Sequence, residues 1–257
     1  MTSRPPLQQV NVFTGSGSPL ASLYVGPLAD NAPPWLCTTP PEHALSGTQL
    51  FSPERLEQVL TRFATCFSVD DRRAVASMWT KWYFHLVLQP SLAANVLLER
   101  ELPLGLDEMH VVLDAHGRPE RLCLRHDGLP LASLKTEHRF AGMMAHLSTV
   151  IDVLAPLSGA APRVFWSNVG SGIDYYLSQL ESHPAMWPGM TDACWQLLER
   201  RELDDGQRNP LFQPVRHVTG EDGTLQRVRK LCCLRYLIPE LGDCGDYCPL
   251  SCRRRTH

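Results

Sequence analysis

Residues 70–90 read DDRRAVASMWTKWYFHLVLQP, a stretch in which apolar side chains recur at the spacing of one helix face. Asp70 and Asp71 are residue types that begin helices, and Pro90 is one that ends them. The residues of the shared face are Val75, Met78, Trp79, Trp82 and Leu86. The pattern therefore predicts a helix that begins near Asp71 and stops at Pro90, with a shorter helix from Leu92 to Glu99.

Outward from this stretch, the chain is predicted to be helical apart from one β-hairpin. A helix is expected from Ser52, where an N-cap and a proline precede apolar residues at helical spacing. Two short runs rich in Val and Leu lie on either side of Gly117 and predict the hairpin, at 109–114 and 120–125. Further helical patterns cover 143–154, 166–180 and 191–201.

These elements indicate an α+β fold that is mainly helical, with a small antiparallel sheet and a C-terminal cysteine-rich, cluster-binding segment. The first 45 residues hold eight of the 21 prolines and little periodicity, so 1–45 is expected to be an irregular arm. Residues 46–224 would form the mainly helical body, and 225–257 the cluster-binding segment. Without internal repeats or sustained strand–helix alternation, solenoids and doubly wound folds are disfavoured.

The composition is that of an ordinary globular protein, with 44% hydrophobic and 20% charged residues. The formal net charge of −3 shows no basic excess, which argues against a nucleic-acid partner. No window approaches about 18 consecutive apolar residues and no export signal follows Met1, so a cytoplasmic protein is expected. The basic tail 253–255 would allow peripheral contact with the anionic inner membrane surface.

The nine cysteines are the unusual feature of the composition. Four are dispersed and are expected to be small buried hydrophobic residues, namely Cys37, Cys66, Cys123 and Cys194. The other five crowd together near the C-terminus, namely Cys232, Cys233, Cys244, Cys248 and Cys252. Clustered thiols in a reducing compartment more often hold a metal or a cluster than form disulfides.

The spacing of these thiols narrows the choice of metal. Cys232 and Cys233 are adjacent, ten residues separate Cys233 from Cys244, and Cys244 and Cys248 enclose three residues. Four thiolates gathered by such a loop suit a 2Fe-2S cluster or tetrahedral zinc. Adjacent cysteines fit a zinc knuckle poorly, whereas a cluster with two irons tolerates unusual spacings, so the cluster is favoured. A redox disulfide and unbound thiols are the remaining interpretations.

The same segment is the basic part of the chain. Residues 225–257 contain seven basic and three acidic side chains, a balance of +4. A cluster held by four thiolates is anionic and gains a further negative charge on reduction, so positive neighbours stabilise its reduced state. We therefore expect Arg229, Lys230 and Arg235 to raise the potential of a cluster bound here.

The cysteine motif resembles that of the bacterial ferric-siderophore reductases of the FhuF type. That family has two adjacent cysteines, ten residues, a cysteine, two residues and a cysteine, often as Cys-Cys-x-Arg-Tyr and Cys-Gly-x-Cys-Pro-Leu. The matching residues are 232–236, 244–245 and 248–250. Three upstream segments are also similar to the family, 78–84, 92–95 and 166–170. The resemblance thus covers roughly residues 50–250.

The resemblance implies a reductase that passes one electron to ferric iron held by a siderophore, most often of the hydroxamate kind. It implies a 2Fe-2S cluster bound by Cys232, Cys233, Cys244 and Cys248, recharged by a ferredoxin or a flavin-linked reductase. Siderophore oxygens hold Fe(III) tightly and Fe(II) weakly, so reduction would release the iron in the cytoplasm. Outer-sphere electron transfer needs no proton-transfer residue.

This chain departs from the family pattern at one place. Cys244 and Cys248 enclose Gly245-Asp246-Tyr247, three residues where the family has two. A local bulge could absorb the extra residue, Cys252 could supply the fourth thiolate, or cluster binding could be impaired. The alternative function is a non-catalytic siderophore-binding or biosynthesis-associated protein with structural zinc at these cysteines. A third interpretation is an iron–sulfur sensor.

Other candidate residues are expected to have structural roles. Three histidines are assigned to surface or core positions rather than to a metal, His85, His138 and His146. Gly170 and Gly172 lack the strand and third glycine of a dinucleotide-binding motif, so a packing or capping role is expected. An aromatic helix face is assigned to the core, with a siderophore pocket as its functional alternative, and consists of Trp79, Trp82, Tyr83 and Phe84.

Overall fold

A computed structural model describes residues 17–219, 223–242 and 245–250, apart from the side chains of Glu137 and Asp246. Helices α1 to α8 span Pro19–Ser22, Gly47–Leu50, Pro53–Ala64, Arg72–Leu98, Thr136–Arg139, Ala141–Ser158, Pro162–Leu180 and Asp192–Glu199. Strands β1 to β8 span Trp35–Leu36, Leu45–Ser46, Arg100–Glu101, Met109–Leu113, Pro119–Leu124, Leu129–Pro130, Val215–Thr219 and Leu225–Arg229. The predicted class, α+β and mainly helical, is confirmed.

The largest sheet has the strand order β1-β5-β4-β2. Its centre is the predicted antiparallel hairpin of β4 and β5, with a shift in register between Val112 and Leu113. β2 is antiparallel to β4, whereas the two-residue β1 lies parallel to β5 at the opposite edge. The pairs β3–β6 and β7–β8 are separate and antiparallel.

Helix α4 is the centre of the fold. Asp71 caps its first turn by accepting hydrogen bonds from the N–H groups of Arg73 and Ala74, at 3.0 and 3.2 Å. Most side chains along its length are buried, and the helix contacts α3, α6, α7 and β5. A helix that is apolar around its circumference belongs in a core, so the other elements are arranged around α4.

The prediction that Pro90 ends this helix is wrong. A single helix runs from Arg72 to Leu98 with Pro90 inside it, so no separate helix exists at 92–99. An internal proline costs roughly 3 kcal/mol because it removes a hydrogen bond and crowds the preceding turn. On either side of Pro90, Leu88 and Leu92 are almost completely buried. Each such burial contributes about 1.5–3 kcal/mol, so together the two leucines offset the cost of the proline.

The predicted aromatic face of α4 is divided between the core and the surface. Trp79, Tyr83 and Phe84 are buried, and the rings of Trp79 and Tyr83 stack with centroids 5.4 Å apart. The indole N–H of Trp79 donates to the carbonyl of Gly117 at 2.9 Å, which ties the β4–β5 turn to the helix. Trp82 is 46% exposed, so the core assignment is wrong for this residue.

The remaining predicted helices are confirmed with small changes in their ends. Ser52 caps α3 by accepting a hydrogen bond from the N–H of Arg55 at 3.3 Å. The helices predicted over 143–154, 166–180 and 191–201 correspond to α6, α7 and α8. Gly170 and Gly172 lie inside α7, where a Cβ would meet Pro214 at 2.6 Å and Leu88 at 2.9 Å respectively. Their packing role is therefore confirmed.

The described part of the N-terminal arm lies over the body. Leu20, Leu23 and Leu28 are buried in the main core, and the carbonyl of Leu23 is 2.8 Å from the Nε2 atom of His183. β1 also joins the sheet. The arm is thus held by apolar burial and hydrogen bonds in spite of its prolines, while the three domain boundaries stay a prediction.

Within the described part of the chain, one helix, α6, has the length and apolar composition of a membrane-crossing segment. Its Leu147, Val150, Ile151 and Leu154 are buried in the main core, and the helix packs against α4 and α7. Packing inside the fold therefore accounts for the apolar residues on the buried face of α6.

Gly117 is expected to be sensitive to substitution. Its φ is +80°, and a Cβ there would lie 2.9 Å from the carbonyl oxygen of Val59. Gly117→Ala should lower the free energy of unfolding by about 2–3 kcal/mol, because backbone strain and a steric clash add. Gly159→Ala is the matched control, since Gly159 has φ +73° with nothing within 4 Å of a Cβ. It should cost about 1 kcal/mol. Equal losses in urea denaturation would contradict the clash.

Candidate metal centre

The hairpin β7–β8 delivers the cysteines to the body. It is absent from the sequence-based expectations, although the turn-forming stretch 219–224 is a signal for it. After β8 the chain continues as residues 230–250, here called the thiol segment, of which 243 and 244 lie outside the described residues. Its described part contains single 3-10 turns at Arg235–Leu237, Pro239–Leu241 and Gly245–Tyr247. Such a segment is held by its contacts rather than by long elements of its own.

Three of the four predicted ligands lie in one place. Cys233 and Cys248 are each 3% exposed, and Cys232 is partly exposed. Burial raises the pKa of Cys232, and the neighbouring Cys233 and Cys248 raise it further, whereas Arg229 lowers it. These effects on one thiol require the other groups to be nearby. Cys244, the fourth predicted ligand, and Cys252, its alternative, lie outside the described residues.

The described residues do not include a complete ligand set. Within 17–219, 223–242 and 245–250, no group of three or more His, Cys, Asp or Glu side chains is gathered closely enough to hold a metal ion. The backbone nevertheless presents Cys232 in a specific way. Leu234 has a left-handed φ of +64°, and its N–H donates to the Sγ of Cys232 at 3.3 Å. An N–H directed at sulfur favours the thiolate form.

A buried polar network lies beneath the thiol segment. Ser77 of α4 donates its hydroxyl to the carbonyl of Cys233 at 2.7 Å. Asn168 of α7 donates to both oxygens of Ser77, at 3.0 and 3.1 Å, and to the hydroxyl of Thr80 at 3.2 Å. All three side chains are buried. The position of Cys233 is therefore set by hydrogen bonds that join two core helices.

Arg229 extends this network to the other side of Asn168. Its Nη2 donates to the Oδ1 of Asn168 at 2.6 Å and to the hydroxyl of Ser167 at 3.1 Å. The side chain is 3% exposed, and its Nε is buried without a hydrogen-bond partner. No carboxylate of the described residues pairs with Arg229. A buried guanidinium with neutral partners is costly unless an anion lies nearby.

Arg229 is distinct from the two other basic residues that the sequence places around the thiols. Lys230 points away, with its Nζ donating to Gln213 at 2.9 Å and lying 5.4 Å from the ring centre of Phe212. Arg235 donates through Nε and Nη2 to the carbonyl of Leu241, at 3.0 and 2.7 Å. Of these cations, Arg229 is the one that acts on the pKa of Cys232.

The donor set suits the anionic cluster that the sequence motif predicts. Cys232, Cys233 and Cys248 offer soft sulfur ligands, and Arg229 offers a buried positive charge with an unsatisfied N–H. Both features match a thiolate-bound group with net negative charge. The residues that hold it stay a prediction.

A turn links Gly245 to Cys248. Gly245 has φ +63°, and its carbonyl accepts from the N–H of Cys248 at 2.9 Å. The hydroxyl of Tyr247 lies 3.4 Å from the carbonyl of Ser171 and 3.4 Å from the Oδ2 of Asp174. Burial raises the pKa of Asp174, although Arg227 at 3.6 Å opposes this. Tyr247 thus connects the turn to α7.

The residues with predicted structural roles have the following places. His146 lies between the hydroxyl of Tyr83 and the carbonyl of Leu104, at 2.8 and 2.7 Å, and burial lowers its pKa to about 4. His138 is exposed and His85 is half-buried. Three of the dispersed cysteines are buried as predicted, namely Cys37, Cys123 and Cys194. Cys66 is exposed, so its assignment to the core is wrong. It lies two residues beyond the end of α3, on the surface.

Sequence reasoning does not identify the residues that position the thiol segment. Ser77, Thr80 and Asn168 are polar residues within helices whose other buried positions are mostly apolar. Burial of a polar side chain on an apolar face requires partners, and this is the signal that could have found them.

The sequence model of one protein family matches residues 77–225, more than half of the chain, and the family is described as "Ferric iron reductase FhuF-like transporter". The chain belongs to this family. The match includes Ser77 and Asn168 and ends where β8 begins, so the thiol segment lies beyond it. The resemblance drawn from the sequence motifs is confirmed at the level of the family.

The chain is also similar to the ferric siderophore reductase of Escherichia coli (strain K12). It is 26% identical over 219 residues, which cover 80% of this chain and 79% of that protein. The similarity therefore extends over most of both chains.

Removal of the Asn168 side chain is expected to destabilise the buried polar network beneath the thiol segment. Asn168→Ala removes one hydrogen-bond partner from each of the buried side chains of Ser77 and Arg229, so it should lower the free energy of unfolding by about 2–4 kcal/mol. Ser178→Ala on the same helix is the control, because Ser178 is half-buried and donates its hydroxyl to the carbonyl of Tyr175 at 2.7 Å, away from the network. The control should change stability by less than about 0.5 kcal/mol. Similar midpoints in urea denaturation for both variants would argue against the network.

Proposed function

We propose that this chain is a ferric-siderophore reductase that transfers one electron to siderophore-bound Fe(III). The observation that carries the proposal is the group of neighbouring thiols beside the buried Arg229, which pairs with no carboxylate of the described residues, in a chain of the ferric iron reductase family. The activity named for the E. coli relative supports the same substrate class. We further propose a hydroxamate siderophore as the usual substrate.

The chemistry of iron explains why one electron is enough. Fe(III) is a hard cation that binds strongly to oxygen donors, whereas Fe(II) is softer, carries less charge and binds to them weakly. Reduction therefore loosens the iron without breaking any bond in the siderophore. The electron donor is proposed to be a ferredoxin or a flavin-linked reductase, and the release of iron is placed in the cytoplasm.

The ligands proposed for the resident cofactor are Cys232, Cys233, Cys244 and Cys248, with Cys252 as the alternative to Cys248. A 2Fe-2S cluster bound by them would supply single electrons at a potential set by its surroundings. Three residues of the chain contribute to those surroundings. Ser77 holds the backbone of Cys233, the N–H of Leu234 is directed at the sulfur of Cys232, and Arg229 supplies positive charge.

The first experiment is an absorption spectrum of anaerobically purified protein before and after dithionite, with iron, sulfide and zinc measured on the same sample. Absorption between about 320 and 600 nm that bleaches on reduction, with about two irons and two sulfides per chain, is expected of a 2Fe-2S protein. A colourless protein with one zinc, which melts when chelated, would favour the non-catalytic siderophore-binding alternative.

Cys232→Ser is expected to abolish the visible spectrum while leaving most of the helical circular dichroism, because the core helices do not depend on this thiol. Cys66→Ser is the control, since Cys66 is exposed and lies outside the thiol segment. An unchanged visible spectrum in Cys232→Ser would contradict the assignment of Cys232 as a ligand. Comparison of Cys248→Ser with Cys252→Ser then identifies the fourth ligand, which is the variant that loses the spectrum.

Arg229→Gln is expected to shift the reduction potential to more negative values, because a buried positive charge is lost beside the thiols. The one-electron reduction constant should fall on the order of tenfold, or about 59 mV, in a spectroelectrochemical titration. Lys230→Gln is the matched control, because Lys230 is directed to Gln213. Equal shifts for the two variants would show that only net charge matters.

A further inference from the structure

A cleft of about 720 Å³ borders the thiol segment. It is called here the Trp82 cleft, and its apolar walls are formed by Phe63, Phe67, Met78, Trp82 and Leu241. Its polar lining includes His116, Arg118 and Arg235. Clefts for drug-sized ligands measure about 300–1,000 Å³ and are mostly apolar with a few polar groups, so the Trp82 cleft has the size and composition of a binding site.

The outer wall of the cleft is held in place by α4. Trp79 binds the carbonyl of Gly117 from within the core, at 2.9 Å. Asp114 accepts hydrogen bonds from the N–H groups of His116 and Arg118, at 2.8 and 2.9 Å, and its carboxylate pairs with the guanidinium of Arg118 at 3.1 Å. The β4–β5 turn is therefore fixed before any ligand arrives.

Trp82 faces this turn across the mouth of the cleft. The guanidinium of Arg118 lies 4.9 Å from the ring centre of Trp82, so the two side chains form a stacked pair. Trp82 is nevertheless 46% exposed. A large aromatic side chain that is left exposed in an apolar cleft marks a place where a ligand binds.

The Trp82 cleft and the thiol segment border the same part of α4. Ser77 and Met78 are neighbours on α4, and Ser77 bonds to the carbonyl of Cys233 while Met78 lines the cleft. Arg235 and Leu241 follow the vicinal cysteines in the chain and also line the cleft. The side chain of Arg235 donates two hydrogen bonds to the carbonyl of Leu241, so the chain between these residues folds back on itself. A ligand in the cleft would therefore lie beside the thiol segment.

Two other cavities are less suited. A cleft of about 480 Å³ shares Lys81, His85 and Arg235 with the first, but it is smaller and its lining includes three tyrosines. A cavity of about 320 Å³ near Glu57 and Arg72 is lined by no residue of the thiol segment. The Trp82 cleft is the largest of the three and the most apolar.

We infer that the Trp82 cleft is the binding site for the ferric siderophore, with Trp82 as its main contact residue. This inference rests on the proposed function. The hydrocarbon arms of the chelator would pack on the apolar walls. The donor groups of Arg118 and His116 would face the oxygen atoms that surround the iron, which are hydrogen-bond acceptors.

Binding can be tested separately from reduction with Ga(III), which has the charge and size of Fe(III) but cannot be reduced. The probes are Ga(III) complexes of a linear trihydroxamate, a cyclic trihydroxamate and a citrate-based dihydroxamate. Cys66 is exposed and lines the cleft, so its alkylation reports whether the cleft is filled. The rate of Cys66 alkylation by N-ethylmaleimide is followed by peptide mapping of the full, cofactor-loaded chain.

At least one Ga(III) complex is expected to slow alkylation of Cys66 severalfold. Trp82→Leu should raise the half-protecting concentration about tenfold, because an aromatic contact is lost. Trp187→Leu is the matched control, since Trp187 is 73% exposed and does not line the cleft, and it should leave that concentration unchanged. Circular dichroism checks that both variants are folded.

The cleft and the function fail in different ways. The protein could reduce the Fe(III) complexes while Cys66 is not protected, or while its protection is not weakened by Trp82→Leu. Either result would contradict the cleft as the binding site and leave the proposed reductase activity supported. Protection that depends on Trp82 in a chain that never reduces iron would support the cleft and contradict the proposed function.

Discussion

The hydrogen bonds that the middle of α4 makes to its neighbours hold the thiol segment in place. Ser77 and Thr80 are completely buried in an otherwise apolar part of the helix, and an unpaired polar group there would cost about 1–3 kcal/mol. Asn168 supplies their partners, and Ser77 in turn bonds to the carbonyl of Cys233. The two helices and the vicinal cysteines therefore cannot shift independently.

The same network contains a charge that the described protein groups do not balance. Arg229 reaches Asn168 and Ser167 but no described carboxylate, so its burial is costly while the thiols are neutral. When the thiols lose their protons, or when they hold an anionic group, the negative charge offsets the cost of burying Arg229. Arg229 thus favours thiolates, whereas burial of Cys232 favours its neutral thiol, and both effects come from the fold rather than from the cysteine spacing.

The sequence predicts most of the helices because their apolar spacing is regular and their caps are recognisable, as at Ser52 and Asp71. It fails at Pro90, where tertiary burial outweighs a local rule, and at Trp82 and Cys66, where exposure depends on how elements meet in space. The cysteine motif predicts the candidate metal centre, and the structure describes three of its four cysteines, Cys232, Cys233 and Cys248. The partners of Cys233 cannot be found this way, because Ser77 is 156 positions away in the chain.

That separation has a consequence for how the molecule is made. Synthesis proceeds from the N-terminus, so α4 and α7 emerge from the ribosome and can pack together well before Cys233 does. The thiol segment then docks on a surface that already presents Ser77, and it closes one of the longest loops in the chain as it does so. On the proposed function, loading of the cofactor would therefore come late in maturation, after the body has folded, and a nascent chain stalled before β8 would be compact but would lack the proposed ligands.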